Sequence, residues 1–206
     1  MDKNEFLYPF YMLLHPAEGF EGIKGSKKGS LRVSFILLLL FFGVSVFVRQ
    51  TTGFIFNFNR PDRLNLLMEF SKTVVPFLLW VVANWSLCTL MDGEGRFSEI
   101  WTATAYALFP FIVVSVPEAL ISNLLARREG AFLGMLSVLA NGWSLVLLIM
   151  AMKEIHQYSF KKTIISMMLT VLGMGVIIFL GVLIFSLFQQ LFIFLATVYS
   201  EIKFRL

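Results

Sequence analysis

The sequence predicts an all-α integral membrane protein: a five-helix transmembrane bundle with interfacial N-terminal and C-terminal segments. Two observations predict it. Of 206 residues, 58% are hydrophobic and 15% charged, with a mean hydropathy of +0.80. A soluble domain carries about 45–50% apolar and about 25% charged residues, and one of this size leaves much of its surface exposed, so lipid must solvate part of the chain. The charges are also not scattered. They bracket uncharged apolar runs close to the roughly 20 residues that a helix needs to cross the hydrocarbon.

The first run is Val33 to Val48, set between Arg32 and Arg49. The second is Thr73 to Met91, between Lys72 and Asp92. The third begins at Ile100, after Glu99, and passes through Pro110 to Pro117, before Glu118. The fourth is Ala131 to Met152, between Glu129 and Lys153. The fifth starts at Thr163 and stays uncharged to Ser200. That is long for one perpendicular helix and short for two with a turn. The Gln189-Gln190 pair is read as a break, giving a span over residues 163–187 and an interfacial tail over 191–206; a sixth, re-entrant or tail span is the alternative.

Outside the spans, residues 1–30 read as a cytosolic and interfacial segment. Phe6-Leu7-Tyr8-Pro9-Phe10-Tyr11 has the amphipathic aromatics that favour the headgroup zone. Phe54, Phe56 and Phe58 alternate, which suits a short extended segment, and an amphipathic helix is expected from Arg63 to Phe70. With the N-terminus inside, nine Lys and Arg fall on inner segments and eight on outer ones. The cluster before the first helix decides the expected orientation, N-terminus cytosolic and C-terminus outside. No cleavable signal peptide is evident.

The candidate chemistry is sparse. Cys88 is the single cysteine, which excludes an internal disulfide or multi-cysteine metal framework. No phosphate-binding glycine loop and no zinc motif occurs. His15 and His156 are read as lying outside the spans, so neither can serve a buried serine as a base. No acidic residue is read deep in a span, Glu118 being nearest but close to a helix end. An enzyme, a bound cofactor and a proton-driven pump are therefore not expected. The charge of +4 reads as loop charge facing anionic headgroups rather than a nucleic-acid surface.

Asn84 and Asn141 fall midway along the second and fourth spans, with Tyr106 in the third. Amides in lipid need partners, so these three are the expected intramembrane polar contacts, the asparagines meeting each other or Tyr106. Small residues at Ala103, Ala107, Gly130 and Gly134 allow close helix approach. Asp92-Gly93-Glu94-Gly95-Arg96-Phe97-Ser98-Glu99 reads as a tight polar turn in which the glycines free the backbone.

Ala83-Asn84-Trp85-Ser86-Leu87, the Leu90–Ile100 loop around Asp92-Gly93-Glu94-Gly95, and Ala105-Tyr106-Ala107-Leu108-Phe109-Pro110 together resemble the Yip family of small polytopic membrane proteins. Weaker matches flank them: His15-Pro16-Ala17-Glu18-Gly19-Phe20, and Glu154-Ile155-His156 with Ser159. The resemblance implies five spans, a cytosolic N-terminus and a C-terminus at or across the far face. Eukaryotic members bind Rab-type GTPases in vesicle transport, but this chain has a pre-membrane region of about 30 residues in place of their long tail. It looks more like the bacterial, Gram-positive members, several of which accompany ATP-binding-cassette carbohydrate importers. The expected function is a non-catalytic accessory subunit of the plasma membrane that binds another membrane complex, such as the permease core of a sugar importer. The alternatives are a small stand-alone channel or transporter and a vesicle-trafficking factor. The expected partner surface is Asp92, Gly93, Glu94, Gly95, Arg96, Phe97 and Glu99.

Overall fold

The computed structural model describes residues 3–25, 28–57 and 64–205, and among these every regular element is a helix. In chain order they are α1 (Lys3–Leu14), α2 (Pro16–Gly25), α3 (Leu31–Thr51), α4 (Leu66–Cys88), α5 (Phe97–Ala107), α6 (Phe109–Ile121), α7 (Gly130–His156) and α8 (Phe160–Arg205). A short 3-10 turn, Arg127–Glu129, precedes α7. Among the described residues five stretches are long and apolar enough to cross a membrane, with α5 and α6 together forming the third. The count matches the sequence expectation.

The core is built around α5. Every residue from Ile100 to Ala107 is buried, and the helix packs against α2, α3, α4, α6 and α7. A helix buried all round must be apolar or small all round, and Ala103, Ala105 and Ala107 supply the small surface that lets neighbours approach. The third span is not one helix. It breaks at Leu108, which leaves helical geometry only slightly (φ −81°, ψ −7°). Pro110 follows two residues on; it lacks an N–H and its ring clashes with the carbonyl four residues back, that of Tyr106.

Several boundaries differ from the sequence reading. α4 starts at Leu66, where the Asn65 side chain accepts from the Met68 N–H at 3.1 Å; the separate amphipathic helix expected over Arg63 to Phe70 is its first turn, with Arg63 outside the described residues. The reason is a good cap in front of an uninterrupted helical run. At its start Glu69 is buried and meets Arg49 of α3 at 2.7 Å, with side-chain exposures of 11% and 12%. The alternating phenylalanines do not extend: Phe54–Phe56 form a turn closed by Phe56 N–H to Gly53 O at 2.8 Å, and Phe58 lies outside the described residues.

The N-terminal segment is more than an aromatic anchor. α1 and α2 fold back on each other, burying Met12, Phe20 and Ile23, and α2 packs on α7 and α5. Gly19 makes the hairpin close: a Cβ there would sit 2.6 Å from Met12 Cγ. Tyr8 Oη donates to Gly19 O at 2.8 Å. Phe6, Leu7, Phe10 and Tyr11 remain exposed and keep the aromatic rim.

α7 runs one turn past Met152, to His156, and ends on Gln157 in the left-handed region (φ 56°, ψ 39°), whose N–H bonds Lys153 O. α8 does not break at Gln189-Gln190 but continues as one helix of 46 residues. Glutamine is a good helix former, and no glycine or proline follows it in the helix to force a turn. The helix is about 69 Å long at 1.5 Å per residue, more than twice the roughly 30 Å hydrocarbon. It packs on α4 and α7, and beyond Thr170 none of its described residues is buried.

Candidate functional site

One end of the bundle gathers the distinctive sequence features. His156, although at the end of α7, is only 1% exposed, because α4, α8 and the loop between α4 and α5 enclose it. Its Nε2 lies 2.7 Å from Asn84 Oδ1. The direction of the chain of hydrogen bonds is fixed from its far end. Thr170 Oγ1 donates to Ser166 O at 2.8 Å, leaving its lone pairs to accept from Asn84 Nδ2 at 3.1 Å. Asn84 therefore turns its oxygen to the imidazole, and Nε2 carries the proton. Three helices, α4, α7 and α8, are joined by this relay.

The loop closes over the other side of the ring. Asp92 takes a left-handed backbone (φ 52°), turning the chain so that Gly93 N–H reaches Cys88 O at 2.8 Å. A Cβ on Gly93 would lie 2.4 Å from Tyr158 Oη and 2.8 Å from His156 Nδ1. One on Gly95 would lie 2.7 Å from both Cε1 and Nδ1 of His156. Neither glycine has a positive φ. They are required because the backbone lies on the histidine, not, as expected from the sequence, to free the turn; the left-handed residue is Asp92. Tyr158 stacks on His156 with ring centroids 5.1 Å apart, and Lys162 Nζ sits 4.5 Å above the Tyr158 ring. His156 Nδ1 and Tyr158 Oη are buried with no hydrogen-bond partner among the described residues. Burial raises the Tyr158 phenol above its ordinary range.

The charged residues of the loop divide into two groups. Glu94 meets Lys24 of α2 at 2.6 Å, and that ammonium holds its carboxyl below the usual carboxylate range. Glu99 Oε2 accepts from the Arg96 backbone N–H at 2.9 Å, capping α5. Asp92, Arg96, Phe97 and Ser98 face outward, with Phe97 edge-on to Trp85 at 5.8 Å. Of the seven residues in the expected partner surface, Gly93 and Gly95 thus pack inward, Glu94 and Glu99 serve α2 and α5, and Asp92, Arg96 and Phe97 are presented.

The expected intramembrane contacts are redistributed. Asn84 is buried, but it meets His156 and Thr170 rather than Asn141 or Tyr106. Tyr106 is also buried; its Oη accepts from the Ser30 N–H at 3.4 Å, and its ring meets Tyr8 at 6.2 Å. Asn141 is exposed and donates to Ser137 O of its own helix at 2.8 Å. Sequence reasoning placed His156 outside the membrane helices and missed it, Thr170 and Tyr158 as parts of one cluster. The Glu154-Ile155-His156 match was the signal that could have found it.

These elements define a polytopic helical membrane protein whose fourth, seventh and eighth helices are tied by a buried Asn–His–Thr relay beneath a Gly-x-Gly loop. A family model, the Yip1 domain, matches residues 10–183, and the chain belongs to that family. No curated protein matches the chain significantly, and no solved structure does.

Proposed function

We propose that this multi-pass membrane protein is a non-catalytic subunit that assembles with another integral membrane complex of the plasma membrane, in particular the permease core of a carbohydrate importer. The observation that carries this reading is the outer half of α8. From Phe188 to Leu195 it exposes Phe188, Leu191, Phe192, Ile193, Phe194 and Leu195 on a helix already long enough to have crossed the bilayer. An apolar helix stretch in which no described residue is buried offers a surface for another helix. The outward residues of the loop, Asp92, Arg96 and Phe97, offer a second contact at the end that carries α1 and α2, which this reading places in the cytosol.

Deletion of residues 188–206 tests it. The truncated protein should insert and keep its thermal stability, since no described residue in that stretch is buried, yet lose co-purification with importer permeases in mild detergent. Retention of the permeases by the truncated protein, or their absence from the full-length preparation, would refute the reading.

A further inference from the structure

At the opposite end of the bundle, α6 and α7 enclose a cavity of about 360 Å³ together with Val48 and Thr52 of the α3 end and Phe56 of the following turn. Along α7 its lining runs from Gly130 to Asn141, eleven residues or about 16 Å at 1.5 Å per residue. Most of the wall is apolar or aromatic, but Glu118, Ser137 and Asn141 form a polar stripe.

That stripe is unbalanced. Ser137 Oγ donates to Glu118 Oε1, and Asn141 Nδ2 donates to Ser137 O. Those bonds leave two acceptors, Glu118 Oε2 and Asn141 Oδ1, with no partner among the described residues. Among the described residues neither lysine nor arginine lines the cavity. A carboxylate within an apolar helix is costly unless a cation or donor meets it, and the described residues supply one hydroxyl. Phe56 and Phe111 add aromatic faces, which attract cations.

We infer that this cavity binds an organic ammonium: a ligand with a protonated amine on a small apolar or aromatic body. The amine would lie against Glu118 and Asn141, and the body against Phe56, Phe111 and Leu133. The volume falls within the roughly 300–1,000 Å³ of small-molecule pockets and far exceeds a bare inorganic cation, whose site would need converging oxygens on all sides. The inference is independent of the partner proposed for α8.

The test uses the full-length protein in nanodiscs of zwitterionic lipid, with empty nanodiscs subtracted. Phenethylamine should bind saturably, and phenethyl alcohol, which lacks the charge, at least about tenfold more weakly. Glu118→Gln should abolish that preference while keeping the elution profile of the folded protein. Gly134→Leu offers a second route: a Cβ there meets nothing within 4 Å, so the side chain should fill the cavity and block the amine without unfolding the helix. Excess potassium chloride at constant ionic strength should not displace phenethylamine specifically. Equal binding of amine and alcohol, no saturable binding, or a preference that survives both variants would overturn the inference.

Discussion

Asn84 Oδ1 and His156 Nε2, 72 residues apart in sequence, lie 2.7 Å apart in the interior, and that contact organises the end of the molecule where the distinctive loop sits. Asn84 is held by Thr170 on one side, and His156 is covered by Gly93 and Gly95 on the other. Replacing Asn84 by Leu leaves a buried imidazole N–H without its acceptor, a loss of about 1–3 kcal/mol, while Thr170 keeps its bond to Ser166 O. Asn84→Leu should therefore lower the midpoint of thermal unfolding in detergent clearly, and Thr170→Val by less. Equal midpoints for wild type and Asn84→Leu would mean that the relay contributes nothing.

The glycines make a sharper test because size alone is changed. Gly95→Ala drives a methyl group into His156, whereas Gly175→Ala, on α8, meets nothing within 4 Å. The first should destabilise; the second should be neutral or stabilise by about 0.5–1 kcal/mol through helix propensity. Combining Gly95→Ala with His156→Ala should relieve part of the loss, measured as a non-additive term in a double-mutant cycle.

Arg49 and Glu69 couple the ends of α3 and α4 at low exposure. Removing one partner of a buried pair strands the other charge, at a cost of about 3–5 kcal/mol. Arg49→Met alone should thus be more harmful than Arg49→Met with Glu69→Leu. Chemical denaturation of the two variants decides the order, and a double variant worse than the single one would contradict the pairing.

The Lys24–Glu94 bridge predicts a pH dependence. The folded carboxyl is held below its ordinary value, so the contribution is present above the unfolded pKa, about 4.3 for glutamate, and is lost as pH falls through the lower folded value. Hydrogen exchange in α2 should rise on acidification through that window. Glu94→Gln should remove that rise, and an unchanged acid response in the variant would assign it to another group.

How much of this was legible follows from which signals are one-dimensional. The five apolar runs were readable because lipid imposes length and composition on each separately. Pro110 alone does not announce the Leu108 break, since proline also occurs inside membrane helices, as Pro76 does in α4. His156 reads as lying outside the span because Lys153 and Glu154 have the charge of a helix end. In fact the helix runs on through those half-buried charges, and the histidine after them faces inward. α1 and α2 carry no such signal: Met12, Phe20 and Ile23 are buried where the two helices fold on each other and α2 packs on α7 and α5, and no local period announces that. The two glycines were singled out correctly, but their reason, contact with a ring some 60 residues away in sequence, exists only in three dimensions.

Site-specific photocrosslinking bears most directly on the claim that α8 is an assembly surface. A photoreactive amino acid placed at Phe192, 73% exposed, should give, on irradiation of native membranes, one discrete adduct containing a permease subunit. The same group at Val81, fully buried between helices, should give none. Adducts at Phe192 with lipid alone, or with a random set of membrane proteins, would contradict the account.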